Sequence, residues 1–321
     1  MTRAVVSARF DRYVVVDWSA ACRPRQGSDS VWIGQLGGRG GGAELNPPTR
    51  GAAADALVDL LVSATRRGER VLVGFDFPLA FPRGLAAALG LGGAAWDAVW
   101  KHVGESLCDE PISNRNNRFR VAATVNATLG YHVFWGCPPR CAGRDLSARR
   151  DRARYRTDPE TVGPAEWREV ECLLIKGGAR PHSAWQLLGA GSVGGQALTG
   201  IPVVRKLRHH PELAAVSRVW PFEAPRNPDL QEGTPAVVHA EVWPSLIGVA
   251  VAGDEVKDRA QVAGLARRLR EIDRRGKLSD VLAAAPPAAD EEGWILGVGC
   301  DGANLLSPPE RGPSIAFPRH T

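Results

Sequence analysis

The chain has 321 residues, of which 44% are hydrophobic and 23% charged, and these values are ordinary for a soluble globular protein. This length allows one large domain or two modest ones. A formal net charge of +5 permits an acidic partner without requiring one. No apolar run reaches the length of a membrane span, and residues 1–12 lack the pattern of a signal peptide. The six cysteines show no disulfide framework. Together these observations predict a cytoplasmic protein with reduced thiols and no membrane partner.

The first clear element is an apolar run that ends in an acid. Residues 13–16, Tyr-Val-Val-Val, precede Asp17 and a group of small residues. A short run of this kind predicts a strand that is buried on both faces, with Asp17 at its carboxyl end. In open α/β sheets, ligands bind at that end of the strands. Asp17 is therefore a metal ligand or general base, or else a turn-forming residue.

The next segments predict two more strands, a helix and a fourth strand. Residues 29–36 predict the second strand, and a glycine-rich hairpin tip leads to a short third strand over 43–46. Apolar residues at helical spacing predict a helix over about 52–67. The apolar run 70–75 predicts a strand that ends at Asp76.

The order of these elements predicts their arrangement. Short turns make the first three strands antiparallel neighbours, and the helical crossover places the fourth strand parallel to the first. This order is that of the beginning of the ribonuclease H-like fold, in which the ends of strands one and four lie side by side. Asp17 and Asp76 should therefore lie close together.

The pattern changes after residue 82. Residues 83–216 are too long for a loop of a compact domain and predict an inserted, mostly helical subdomain over the carboxyl edge of the sheet. Its charged run, 144–156, fits a solvated helix face better than a binding surface. We expect residues 1–82 to form the first part of the main domain and residues 83–216 to form the insertion. Residues 217–306 should form the second part of the main domain, and residues 307–321 a loose tail.

Two segments of the insertion carry groups that could bind an anion. Residues 113–118 combine arginines with asparagine amides, and an ordinary polar loop explains them equally well. Residues 189–196 form a glycine-rich turn whose backbone N–H groups could approach a phosphate, although a tight turn between helices is the simpler interpretation. The turn matches neither the dinucleotide-binding pattern nor the Walker A pattern. The candidate substrate-binding residues are Arg115, Asn117, Arg118, Ser192, Gly194 and Gly195.

Two further acids lie in the second half of the chain. The strand-like run 237–243 contains Glu241, and a predicted helix over 254–270 carries Asp258 near its start. The helix dipole favours an acid at that place whatever its role. If the acid-bearing strands are neighbours, their carboxylates converge and raise each other's pKa unless a cation lies among them. Oxygen ligands of this kind suit Mg²⁺ or Mn²⁺.

Five pieces of the chain, in the same order, resemble a family of predicted ribonuclease H-fold nucleases that is otherwise classed as a domain of unknown function. They are Val-Val-Asp17-Trp-Ser, Gly-Phe-Asp76-Phe-Pro-Leu, Ala-Glu241-Val-Trp-Pro-Ser, Lys257-Asp258-Arg-Ala-Gln and Glu292-Gly-Trp-Ile-Leu-Gly. Some members of that family carry labels that link them to molybdopterin guanine dinucleotide synthesis.

The resemblance implies an α/β, ribonuclease H-like mixed sheet with a large helical insertion and a metal-dependent phosphodiesterase site. Two ions, Mg²⁺ or Mn²⁺, would activate a water molecule and stabilise the leaving oxygen. Asp17 would bridge the ions, Asp76 and Glu241 would flank them, and Asp258 would be the outer ligand.

The expected substrate is a nucleic acid end, a nucleotide or a small phosphorylated compound, because the basic residues form no continuous stripe for a duplex. The alternatives are a non-catalytic nucleotide- or partner-binding protein on the same scaffold and an enzyme of molybdopterin guanine dinucleotide metabolism.

Overall fold

The centre of the molecule is a mixed β-sheet. The computed structural model describes residues 8–37, 41–150, 163–189, 191–223, 234–249, 253 and 255–307. Within these ranges the strands are β1 (Arg12–Asp17), β2 (Trp32–Gly37), β3 (Gly42–Leu45), β4 (Arg70–Phe75), β5 (Ser217–Val219) and β6 (Ala236–Glu241). They form one six-stranded sheet in the order β3-β2-β1-β4-β6-β5.

Helices cover both faces of this sheet. The α-helices are α1 (Arg50–Arg66), α2 (Leu85–Ala88), α3 (Ala95–Ser106), α4 (Arg118–Leu129), α5 (Glu169–Lys176), α6 (Val193–Arg208), α7 (Lys257–Arg274), α8 (Leu278–Ala283) and α9 (Ala289–Glu292). Two short 3₁₀ helices span Pro139–Cys141 and Pro244–Ile247. Among the described helices, none has the length and apolar character that crossing a membrane requires.

The strand directions confirm the order that the sequence predicts. β2 is antiparallel to both β1 and β3, whereas β4 is parallel to β1. β6 is parallel to β4 and to β5. The carboxyl ends of β1, β4 and β6 therefore meet at one edge of the sheet, where Asp17, Asp76 and Glu241 lie.

The apolar runs form strands because both of their faces are buried. On one face, Val14 and Val16 join the apolar cluster formed with α1, α3 and α6. On the other face, Tyr13 and Val15 pack with Val262 and its neighbours on α7. A side-chain period of two thus divides β1 between two apolar layers.

The segment 83–216 packs directly on the sheet. In its described part the regular elements are helices, α2 to α6 and a 3₁₀ turn. Trp100, Trp185 and Leu198 belong to the same apolar cluster as Val14 on β1. The segment therefore shares its core with the sheet, and this packing holds the segment against the acid-bearing edge.

Two apolar segments form less regular strand than their sequences suggest. The run 217–223 suggests a strand, but β5 ends at Val219 because Pro221 has no N–H to continue the ladder. The run 292–298 suggests an edge strand or an ordered segment, and it forms isolated bridges, from Ile295 to Glu241 and from Val298 to Asn304. Residues 38–40 of the hairpin tip, 151–156 of the charged run and the tail from 308 lie outside the described residues.

Helix α6 closely approaches the segment that follows β4 at a glycine. A Cβ atom on Gly200 would lie 2.2 Å from the Phe77 ring. We expect Gly200→Ala to lower the free energy of unfolding by about 1–3 kcal/mol, because the overpacking outweighs the better helix propensity of alanine. Urea unfolding measures this change. The matched control is Gly104→Ala in α3, where no atom lies within 4 Å of the added Cβ. That variant should be neutral or gain up to about 1 kcal/mol, and equal effects at both sites would contradict the prediction.

Candidate carboxylate site

Asp17 and Asp76 lie side by side at the carboxyl ends of β1 and β4. The Asp76 N–H donates to the Val16 carbonyl at 3.1 Å, which continues the parallel ladder beyond the strands. The Asp76 Oδ1 accepts a hydrogen bond from the Trp18 N–H at 2.8 Å. The two carboxyl groups also interact directly with each other. Two neighbouring carboxyl groups repel each other when both are ionised, which favours a proton on one of them.

Burial keeps that proton on the pair. Burial, followed by the negative charges of Asp76 and Asp258, raises the pKa of Asp17 well above its ordinary value. Burial also raises the pKa of Asp76 to about 7, although the Trp18 N–H opposes this shift. The two groups titrate as one unit. Near neutral pH and without a cation, the pair is therefore partly protonated.

Asp258 completes a group of three acids. It is the second residue of α7, a helix that packs against β1 and β2. Its Oδ2 accepts a hydrogen bond from the Asp29 N–H at 2.8 Å. Its charge contributes to the raised pKa of both Asp17 and Asp76. The structure thus brings together three of the four carboxylates that the sequence predicts as metal ligands and catalytic residues.

Glu241 lies at the same edge of the sheet but binds a different group. Its Oε1 and Oε2 accept hydrogen bonds from the Arg168 guanidinium at 2.6 and 2.7 Å. Its Oε2 also accepts from the Leu79 N–H at 3.1 Å. Arg168 in turn binds Glu171 at 3.0 Å. Because this buried ion pair neutralises Glu241 and uses both of its oxygens, the contacts do not fit the predicted role of a flanking metal ligand.

A cavity of about 470 Å³ opens in front of Asp17. Asp17 and Asp258 line it together with Arg118, Ser192 and Gln196. Asp76 and Glu241 line a separate, smaller cavity of about 40 Å³. The carboxylate pair therefore lies between two cavities, and the larger one has space for a small ligand.

Arg118 contributes a buried positive charge to the larger cavity. Arg118 is only 6% exposed. Its Nη1 donates hydrogen bonds to the Cys22 Sγ and the Asn116 Oδ1, both at 2.9 Å. Its guanidinium lies 4.3 Å from the centre of the Phe119 ring. The Nε is buried without a hydrogen-bond partner. Since a buried charge without a counter-ion is costly, this arrangement suits an anionic ligand.

The other predicted substrate-binding residues have different positions. Arg115 is exposed and is not among the residues that line the cavity. The Asn117 side chain accepts from the Cys108 N–H at 2.8 Å and donates to the Ser106 carbonyl at 3.0 Å, so that it joins α3 to α4. The Gly194 N–H donates to the Gln186 carbonyl at 2.9 Å and is not free for a phosphate. Gly195 is buried next to Arg118, and Ser192 lines the cavity.

Sequence reasoning did not identify two residues that hold the loop after β1. Arg50 Nη1 donates to the carbonyls of Ser19 and Ala21 at 3.1 and 2.7 Å. The Gln196 side chain donates to the Trp18 carbonyl. The residues that these bonds join are 31, 29 and 178 positions apart in the chain, so no local sequence pattern could have identified them.

The carboxylates that are free to bind a metal determine how many ions the site can hold. Within the described residues, no three acidic, histidine or cysteine side chains are placed to share one metal ion. A two-ion centre with four carboxylates does not fit, because Arg168 neutralises Glu241. The Asp17–Asp76 pair fits a single hydrated ion, since Mg²⁺ usually keeps several waters and binds through one or two carboxylates. A cation would also offset the burial and the neighbouring negative charge that raise both pKa values.

Comparisons of the chain with protein-family models, with curated proteins and with solved structures found no match. The architecture of the described residues is α/β, with a six-stranded mixed sheet. The resemblance to the predicted ribonuclease H-fold nucleases remains a prediction that rests on the quoted sequence pieces.

Proposed function

We propose that the chain is a metal-dependent hydrolase of phosphate esters on a ribonuclease H-like fold. The observation that carries this proposal is the placement of Asp17 and Asp76 side by side at the ends of neighbouring parallel strands, with Asp258 beside them. The strand order supports the fold, because three antiparallel strands are followed by parallel crossover strands.

The side chains supply the elements that such a reaction needs. Asp17 and Asp76 would hold one Mg²⁺ or Mn²⁺ ion and would release their shared proton when it binds. The Trp18 N–H holds the Asp76 carboxylate, and the Asp29 N–H holds that of Asp258. A bound ion would polarise a phosphoryl oxygen and lower the pKa of a coordinated water molecule. Arg118, in the same cavity as Asp17, would offset the negative charge of the phosphate.

A manganese-dependent rise in melting temperature is the first expected result. At a Mn²⁺ concentration about 100 times the Kd, binding stabilises the fold by about 2.7 kcal/mol, which corresponds to a shift of several degrees. We expect Asp17→Asn to abolish this shift, because the variant removes one carboxylate of the pair. Thermal melts with Mn²⁺ and with EDTA measure both proteins.

The matched control is Asp59→Asn, which alters an exposed acid on α1 and should keep the full shift. Hydrolysis of a chromogenic phosphate monoester and a chromogenic diester with Mn²⁺ then tests catalysis. If the wild type shows no manganese shift and no hydrolysis, the scaffold is a nucleotide- or partner-binding protein and the proposal fails.

A further inference from the structure

We propose that Arg118 and the N-terminus of α6 form a binding subsite for the phosphate group of a nucleotide-sized phosphate monoester. This inference names the substrate class of the proposed hydrolase and rests on that function. Three features support it: the lack of a counter-ion at Arg118, the position of two helix starts, and the size of the cavity.

Arg118 differs from the other buried arginines. Among the described residues, Arg12, Arg50, Arg70 and Arg168 are also buried, and each forms an ion pair with a carboxylate. Arg118 bonds instead to a thiol and an amide. The protein therefore supplies a counter-ion for every other buried guanidinium in its described part, and an external anion would supply the one that Arg118 lacks.

The free donors of Arg118 lie along one edge of the guanidinium. Nη1 uses its hydrogens for Cys22 and Asn116, while Nε has no partner. Nη2 makes no hydrogen bond to any residue that the structure describes, and Arg118 lines the cavity. A phosphate oxygen that accepts from Nη2 would supply the counter-charge that this group lacks.

Two helix starts add positive potential at the same place. Arg118 is the first residue of α4, where the helix dipole disfavours a cation, so its position does not serve the stability of that helix. The 16-residue α6 begins at Val193 with no acid in its first turn, and the side chain of its N-cap, Ser192, forms no capping bond. Ser192 lines the cavity and is free to donate to a ligand.

Gly195 allows α6 to approach Arg118. A Cβ atom at Gly195 would lie 3.0 Å from the Leu187 carbonyl oxygen and 3.3 Å from the Arg118 Nε and the Ala20 Cβ. Glycine at this position thus lets the first turn of α6 pack against both Leu187 and the guanidinium. The predicted role of the glycine-rich turn changes accordingly. It brings the helix start close to Arg118, whereas direct binding through the Gly194 N–H is prevented by the bond to Gln186.

The cavity favours a small monoester. Its volume of about 470 Å³ is within the range of small-molecule sites, roughly 300–1,000 Å³, and has no space for a duplex. Asp17 and Asp258 in the same cavity repel a free anion, so phosphate should bind more tightly when a cation neutralises them. A phosphate dianion, with more charge than a diester, gains most from Arg118 and a neighbouring cation.

The test is isothermal titration of inorganic phosphate and of adenosine monophosphate, each in EDTA and in Mn²⁺. We expect Arg118→Met to weaken both ligands by about tenfold or more, since a hydrogen bond to a charged group is worth about 1.5–3 kcal/mol. The matched control, Arg115→Met, removes an exposed charge of the same segment and should change the affinity by about twofold or less.

A second variant covers the case in which Arg118→Met does not fold. Ser192→Asp places a residue that is favoured at helix N-caps, so the melting temperature should hold or rise while the added charge weakens phosphate binding about tenfold. Unchanged phosphate affinity in Ser192→Asp, or no phosphate binding by the wild type under either condition, overturns the subsite.

The same titrations separate this inference from the proposed function. Arg118-dependent phosphate binding without a manganese shift leaves the subsite standing and defeats the hydrolase. A manganese shift that depends on Asp17, without Arg118-dependent binding, defeats the subsite alone.

Discussion

Replacing Arg168 by methionine is expected to lower the free energy of unfolding by about 3–5 kcal/mol. Arg168 is 1% exposed and binds both Glu241 and Glu171, which are also buried. Without the guanidinium, two buried carboxylates would lose their counter-ion and would have to be protonated to remain inside. Urea unfolding at pH 7 measures the loss.

An exposed ion pair provides the matched control. Arg66 binds Glu212 at 2.6 Å on the surface, and Arg66→Met should cost less than about 1 kcal/mol. Similar losses in the two variants would contradict the assignment of Arg168 as the counter-ion of a buried cluster.

Glu241→Gln, melted with and without Mn²⁺, decides between two roles for the glutamate. We expect this variant to lose stability and to keep the manganese shift, because Glu241 neutralises Arg168. Loss of the manganese-dependent shift in melting temperature would show that Glu241 is a metal ligand.

Without a metal ion, Asp17→Asn is expected to stabilise the protein at pH 8 by roughly 1–3 kcal/mol. The folded state raises the pKa of both Asp17 and Asp76, the latter from 3.8 to about 7, so the folded state binds more protons than the unfolded state. The stability of the pair is therefore fully present below about pH 4 and is lost as the pH rises through about 7. Asparagine at position 17 removes one of the two carboxylates whose burial causes most of this loss.

Urea unfolding in EDTA at pH 5 and pH 8 measures this effect. Asp59→Asn, an exposed acid on α1, controls for other titrating groups and should follow the wild type at both pH values. The measured quantity is the difference in the free energy of unfolding between the wild type and Asp17→Asn. If this difference is the same at pH 5 and at pH 8, the two acids do not share a proton.

The position of the three central acids could be predicted because local patterns determine it. Apolar runs predict the strands that end at Asp17 and Asp76, and the helical crossover predicts that these strands are parallel neighbours. The position of Asp258 follows from the start of α7, although the sequence does not show which residue its carboxylate binds.

The roles of Glu241 and of the predicted anion-binding residues could not be predicted in the same way. Glu241 ends a strand just as Asp17 does, but its function depends on Arg168, which is 73 positions away. Arg115 and Arg118 look alike in the sequence, and only the packing of α4 against α6 makes one exposed and the other buried. Burial and long-range partners, which arise from tertiary packing, distinguish ligand-binding residues from structural ones.

The docking of α7 also determines when the site is complete during protein synthesis. The Asp258 carboxylate accepts a hydrogen bond from the Asp29 N–H, which is 229 positions away in the chain. The helix that carries Asp258 covers the face of the sheet on which Tyr13 and Val15 lie. A nascent chain emerges from its N-terminus, so β1, β2 and β4 leave the ribosome long before α7 does. During that interval the uncovered apolar face is exposed to aggregation, and the carboxylate group lacks its third member. A chain that stops before residue 257 would lack both Asp258 and the helix that covers this face of the sheet.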